Sequence, residues 1–301
     1  MGTRDDTVGT RDDTAVRGCR VKWDAMNEHV QTNNPTAPVR LIATDLDGTF
    51  LGADGLPTAA NCEAVYRAAE IGVPTVFATG RASRSIQPLD GVRDAHPLVI
   101  TSNGAVILDL EHNTVIHHYP LDPAVTSLVA RDVRAAVPDV TFAVEYLTGW
   151  GREGLYPLTW YWEADVIGPI DDLLAYGAVV KLLIRAPIPT PDLMALTAPV
   201  VGGRLTVTYS VVSDLGFLEA SPPGVTKASA LTQVLADLDI PASDVAAFGD
   251  MPNDLAMLDL VGHPFVMGNG DESLKERFPV CGDHDDSAFG TTVTSILGLA
   301  S

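Results

Sequence analysis

The sequence predicts an α/β protein: a doubly wound, Rossmann-like parallel sheet core with an inserted α+β domain. Three observations carry this expectation. First, three short runs are apolar and end in polar residues: VRLIATDLDGTF from Val39, VPTVFATGR from Val73 and HPLVITSNGA from His96. Strands buried on both faces read as continuous apolar runs, and open parallel sheets bind ligands beyond the strand C-termini. Second, residues 58–71 between the first two runs read as a helix closed by Gly72, giving strand–helix–strand order. Third, the pattern stops near Ala105 and resumes from Val225.

Taking the elements in order, VILDLEHNTVIHHY from Val106 reads as a β-hairpin turning at His112–Asn113. A helix over 123–137 follows, then strands VTFAVEYL, VVKLLIRAP and RLTVTYSVV, with a helix over 191–196 before the last. These strands lack polar tips, so residues 105–213 are expected to form the inserted α+β domain, and residues 39–104 plus 214–301 the core. The core resumes with a helix over 227–238, the strand DVAAFGD, a helix over 253–260 and the strand HPFVMGNG. Residues 1–38 read as a disordered tail: GTRDDT at 2–7 recurs at 9–14, and Pro35 and Pro38 interrupt a polar stretch.

Composition removes several classes of function. Of 301 residues 46% are hydrophobic, enough for a packed core and too many for a wholly disordered chain. No run reaches the roughly 18–20 apolar residues of a membrane span, and no apolar signal segment opens the chain. A net charge of −20 excludes the basic footprint that nucleic acid or an anionic membrane demands. Cys19, Cys62 and Cys281 cannot all pair and have no metal-ligand spacing, so a reducing cytoplasm is expected.

Asp45 and Asp47 stand one residue apart at the tip of the first strand, in Asp45-Leu46-Asp47-Gly48-Thr49. One carboxylate placed there can attack while the other shuttles a proton, and their joint charge calls for a divalent cation. This stretch resembles the first motif of the haloacid dehalogenase superfamily of phosphohydrolases. The resemblance implies that Asp45 is the nucleophile, that Asp47 is the general acid and base, and that the Asp47 backbone carbonyl ligates Mg2+. Thr79-Gly80-Arg81 resembles the second motif, whose threonine holds phosphoryl oxygens, and Asn103-Gly104 a companion loop at the same edge. Lys227, one of only four lysines, matches the third motif, whose ammonium neutralises phosphate and nucleophile. Asp250-Met251-Pro252-Asn253-Asp254 resembles the fourth: Asp250 would bind Mg2+ directly, Asp254 mainly through water, and Asn253 would complete the acidic loop. Met267-Gly268-Asn269 resembles a segment that often follows.

The position and size of the insertion resemble the cap of the Cof-type (type IIB) branch, which is rich in sugar-phosphate phosphatases. The implied activity is a Mg2+-dependent phosphomonoesterase acting on a small phosphorylated metabolite. Phosphotransfer of the phosphomannomutase type and a non-catalytic binding role are the alternatives. Lys181 and Arg185, on one face of a strand, are candidate substrate contacts in the cap, or simply surface residues of a half-exposed strand. The aromatic residues Trp150, Tyr156, Trp160, Tyr161 and Trp162 read as a core or dimer patch in preference to a sugar-stacking entrance, and His117 and His118 as exposed strand residues. The late loop from Asp283 to Phe289 keeps the family's acids but displaces its glycine, which puts a role in positioning Asp250 in doubt. Monomer and homodimer are both open.

Overall fold

The structure, a computed structural model, describes residues 39–157 and 163–299. The expected tail and the aromatic residues Trp160, Tyr161 and Trp162 lie outside the described residues. In chain order the elements are β1 (Leu41–Thr44), α1 (Ala59–Glu70), β2 (Thr75–Ala78), β3 (Leu98–Thr101), β4 (Val106–Asp109) and β5 (Thr114–His118). There follow α2 (Pro123–Ala136), β6 (Thr141–Tyr146), β7 (Trp150–Arg152), β8 (Val166–Ile167), α3 (Ile170–Tyr176), β9 (Val179–Arg185), α4 (Thr190–Val201), β10 (Thr206–Thr208) and β11 (Phe217–Ser221). The chain ends with α5 (Lys227–Leu238), β12 (Val245–Gly249), α6 (Leu255–Leu260), β13 (His263–Met267), α7 (Glu272–Lys275), β14 (Val280–Gly282) and α8 (Ala288–Ile296).

An eight-stranded sheet runs β14-β13-β12-β1-β2-β3-β4-β5, parallel from β14 to β3 and antiparallel beyond. The chain leaves β1 toward β2 on one side and returns to β12 on the other, so the strand order reverses between β1 and β12, where doubly wound sheets open a ligand crevice. Alternate residues feed the two faces. Ile42, Phe77, Val99 and Phe248 pack against Ala64, Val65 and Phe289 of α1 and α8. Leu41, Val76, Ile100 and Val245 pack against Leu231, Val234 and Leu258 of α5 and α6. Phe50, directly after the DLDGT run, is clamped edge-on between Phe77 (4.8 Å) and Phe289 (5.2 Å), which anchors that loop to the core. Local chemistry sets the helix starts. The Thr58 hydroxyl accepts the Asn61 N–H at α1, Asp122 caps α2 ahead of Pro123, and Thr226 and Ser229 form a capping box at α5.

A second, six-stranded sheet runs β10-β11-β9-β6-β7-β8. One face, with Phe142, Val144, Leu182, Ile184 and Leu218, is covered by α2, α3 and α4. The other face turns toward the tips of β1 and β2.

Two stretches change sheets relative to expectation. Residues 106–118, expected in the inserted domain, extend the large sheet as β4 and β5. The turn after β3 is so short that β4 must fold back beside it, and Ile107 and Leu108 then bury into opposite faces of the core. Conversely β11, expected in the core, pairs antiparallel with β9, and its Leu218 and Ala220 complete the smaller sheet's apolar face. The strand expected over 204–212 is shorter, leaving Ser210 and Val211 in a loop that lines the cavity described below. Among the described residues no helix is long and apolar enough to cross a membrane.

Candidate active site

The site lies where β1, β2, β3 and β12 end, under the smaller sheet. The Asp45 N–H donates to the Phe248 carbonyl (2.9 Å), so β1 and β12 jointly present Asp45 and Asp250. Asp45 Oδ1 lies 2.5 Å from the Lys227 ammonium, which also reaches Asp254 Oδ1 at 2.6 Å. Lys227 opens α5, and α5 is held in place by Gly104: a Cβ there would fall 2.2 Å from the Thr226 carbonyl oxygen, so only glycine permits the approach.

Both oxygens of Asp254 are engaged, since beside the Lys227 contact its Oδ2 accepts the N–H groups of Asp250 and Met251, both at 3.1 Å. Asp250 accepts the Thr49 hydroxyl on Oδ1 (3.3 Å). Its Oδ2 and the second oxygen of Asp45 have no donor among the described residues. Burial and the neighbouring Asp254 push the Asp250 carboxyl up to about 7, with Lys227 pulling the other way. Asp45 is raised well above the usual carboxylate range, first by burial, against the pull of Lys227 and with Asp254, Asp250 and Asp47 adding to the rise. Burial works against the Lys227 ammonium, yet Asp254 and Asp45 raise its pKa.

Oxygens of Asp45, Asp250 and Asp254 lie within 4.8 Å of one another, all three residues buried. Three buried carboxylates against one ammonium leave a surplus of negative charge in a low-dielectric site, with hard oxygen donors free on Asp45 and Asp250. That donor set fits a divalent cation such as Mg2+. The engaged oxygens of Asp254 make it a support for the loop and for Lys227.

The remaining expected residues divide. Thr79 is buried at the end of β2, its hydroxyl accepting the Arg81 N–H (3.0 Å). Gly80 leaves room for Asn103 and Glu219: a Cβ there would lie 3.2 Å from Asn103 Oδ1 and 3.4 Å from Glu219 Oε2. Asn103, in the left-handed region at φ 57°, accepts from Asn253 Nδ2 (3.4 Å), while Asn103 Nδ2 and Asn253 Oδ1 are buried without partners. Arg81 holds the exposed Asp47 carboxylate with two bonds, Nε to Oδ2 at 2.8 Å and Nη2 to Oδ1 at 2.6 Å. Gly104 lies beneath α5 and is not among the cavity-lining residues.

A cavity of about 600 Å³ joins the two sheets, lined on the core side by Asp45, Asp47, Thr79, Arg81, Asp250 and Asn253. Lys181 lines its cap side. Arg185 does not: its guanidinium sits 4.4 Å over the Phe217 ring. Trp150 and Tyr156 are buried in a cluster with Leu183 and Phe217. His118 is exposed as expected, and His117 is half-buried, 3.3 Å from Asp237. The Asp283–Phe289 loop does reach the motif loops: the His284 N–H donates to Asn269 Oδ1, and Asn269 Nδ2 donates to the Gly48 carbonyl. Sequence reasoning missed Glu145, Glu219 and Arg84, which also line the cavity. The available signal was charge at core-facing strand positions, Glu145 in β6 and Glu219 in β11.

The profile of haloacid dehalogenase-like hydrolases matches residues 42–144 and 204–288. An HMP-PP phosphatase of Escherichia coli O8 is 29% identical over 250 residues, covering 80% of this chain and 88% of that protein. An HMP-PP phosphatase of Shigella boydii serotype 4 shows the same identity, with 92% of that protein covered. Among solved structures, a superfamily phosphatase from Bacteroides thetaiotaomicron superposes with a TM-score of 0.74 at 20% identity, over 87% of this chain and 97% of that one. A subclass IIB sugar phosphatase gives a TM-score of 0.73 at 18% identity, over 87% and 100%. These two likenesses show the fold. The profile takes in the strands on both sides of β1 and passes over residues 145–203, the middle of the inserted segment, so the chain belongs to the haloacid dehalogenase-like hydrolases.

Proposed function

We propose that this hydrolase is a Mg2+-dependent phosphomonoesterase that acts on a small phosphorylated metabolite, a sugar phosphate, through an aspartyl-phosphate on Asp45. The observation that carries the reading is the buried Asp45 carboxylate held by Lys227 beside the uncommitted oxygen of Asp250. Relatives named as phosphatases support it.

In the first half-reaction an Asp45 oxygen attacks phosphorus, the bond from phosphorus to the ester oxygen breaks, and Asp47 gives its proton to the departing oxygen. In the second, Asp47 takes a proton from water as that water attacks phosphorus, which frees Asp45 and inorganic phosphate. Asp47 must leave its pairing with Arg81 to do this. Lys227 offsets the charge of nucleophile and phosphate, and the hydroxyl of Thr79, on the cavity wall, donates to phosphoryl oxygens; Asn103 is not among the cavity-lining residues. Mg2+, held by Asp45, Asp250 and the Asp47 carbonyl, would neutralise charge on the transferring phosphoryl group. The free thiols of Cys62 and Cys281 fit a cytoplasmic setting.

The test is release of inorganic phosphate from p-nitrophenyl phosphate and a panel of sugar phosphates with Mg2+, by the wild type and by Asp45→Asn. Activity of the variant should fall below about one per cent with its melting profile retained. Substantial Mg2+-dependent turnover by Asp45→Asn would sink the nucleophile assignment, and conversion of a hexose 1-phosphate to its isomer without phosphate release would overturn hydrolysis.

A further inference from the structure

The cavity wall facing Asp45 is charged, and its lysine is already committed to carboxylates of the protein. Strands β6, β9 and β11 send Glu145, Lys181 and Glu219 from one face of the smaller sheet toward the core, with Glu145 directly opposite Lys181. The Lys181 ammonium meets Glu219 Oε1 at 2.7 Å, Glu145 Oε2 at 3.1 Å and the Gly80 carbonyl at 2.6 Å, which uses all three of its protons. Arg84 lies 3.6 Å from Glu145 and donates to the Gly149 carbonyl at 3.1 Å, while its Nε is buried without a partner. Arg81 is bidentate on Asp47 and also donates to the Ser85 carbonyl. Each cation lining the cavity among the described residues thus faces a carboxylate of the protein.

A second anionic group on the substrate that drew Lys181 away from Glu145 or Glu219 would leave a buried glutamate uncompensated, the costly outcome for a desolvated charge. The same wall is rich in acceptors. Ser102 and Lys181 occupy Glu145 Oε2, while Ser210 and Lys181 divide the two oxygens of Glu219, and a carboxylate oxygen accepts more than one bond. Glu219 stands over the Gly80 position, beside the loop that carries Thr79. Trp150 and Phe217 add apolar lining next to the two carboxylates.

We infer that Glu145 and Glu219, held in place by Lys181, select a leaving group that carries hydroxyls and no second anionic group, accepting its O–H donors and repelling carboxylates and further phosphates. Lys181 is then a positioning residue, and the two glutamates are the specificity determinants. The inference rests on the phosphatase reading above.

The experiment compares kcat/KM for matched esters with Mg2+: glucose 6-phosphate against 6-phosphogluconate, and glycerol 3-phosphate against 3-phosphoglycerate, with p-nitrophenyl phosphate as reference. In at least one pair the neutral member should win by at least about tenfold, and the acidic member should win in neither. In Glu219→Gln, which keeps an acceptor and removes the charge, that ratio should shrink at least about threefold. If Glu219→Gln fails to fold, Glu145→Gln carries the same readout. Turnover of p-nitrophenyl phosphate with equal rates within the pairs, a preference for the acidic members, or no turnover of any of the four overturns the inference alone. Failure to cleave p-nitrophenyl phosphate as well removes the phosphatase reading and this inference with it.

Discussion

Gly48 lies between the DLD residues and Thr49 at φ +77°, and a Cβ at that position would sit 2.3 Å from Asp250 Oδ2 and 3.0 Å from its Cγ. Ordinary carbon contacts begin near about 3.5 Å, so Gly48→Ala must push the Asp250 carboxylate by about 1 Å. That movement breaks its bond from the Thr49 hydroxyl. The left-handed backbone costs an L-residue about 1–2 kcal/mol, and the lost hydrogen bond about 0.5–1.5 kcal/mol. Against a typical total of about 5–15 kcal/mol the variant still folds, with a melting temperature lower by several degrees. The effect on chemistry is greater, because Asp250 offers one of the two uncommitted carboxylate oxygens of the cation site. A displacement of about 1 Å can cost about a hundredfold in rate, with a higher half-saturating Mg2+ concentration. Thermal melting and phosphate release across a Mg2+ titration read the two effects separately. Wild-type rate and Mg2+ dependence in Gly48→Ala would refute the placement of Asp250 at the metal.

Three other predictions draw on the same geometry. Asp47→Asn should slow both formation and hydrolysis of the phosphoenzyme in single-turnover measurements, and normal turnover would refute its acid and base roles. Lys181→Met strands two buried glutamates without their shared cation and should cost about 3–5 kcal/mol in denaturant unfolding; a loss under about 1 kcal/mol would show that the cluster relaxes into solvent. Asp250, pushed up to about 7 in the fold, has a pKa near about 3.9 when unfolded, so its contribution to stability is present below the lower value and is lost as pH rises through the upper one. Metal-free protein should therefore lose stability across that window. Mg2+ should raise the melting temperature more at about pH 8 than at about pH 5.5, and equal shifts at the two would contradict a cation bound by ionised Asp250.

How much of this was legible beforehand follows from the range of the interactions involved. Asp45, Thr79, Lys227 and Asp250 could be placed in the sequence because each stands at the edge of a local signal, an apolar run or a capped helix start. Strand partners are chosen at long range. The hairpin at 106–118 looks the same whether it closes the large sheet or opens a new domain, and only the tight turn after β3 decides. Lys181 and Arg185 share a strand face by spacing, yet one faces the cavity and the other packs over Phe217, because β11 places Glu219 beside the first and Phe217 beside the second.

The sequence by itself determined the doubly wound core, the order of its motifs and the residues that gather around Asp45, since periodicity and strand-end polarity are properties of neighbouring residues. Only the tertiary structure decided that Arg81 grips Asp47, that Asp254 serves Lys227 and its own loop, and that two glutamates from different strands face the cavity. The bonds that Lys227 and Lys181 make to their carboxylates join charges far apart in the chain, which pair where burial leaves them no solvent. Arg81 meets the exposed Asp47 because β1 and β2 are neighbouring strands.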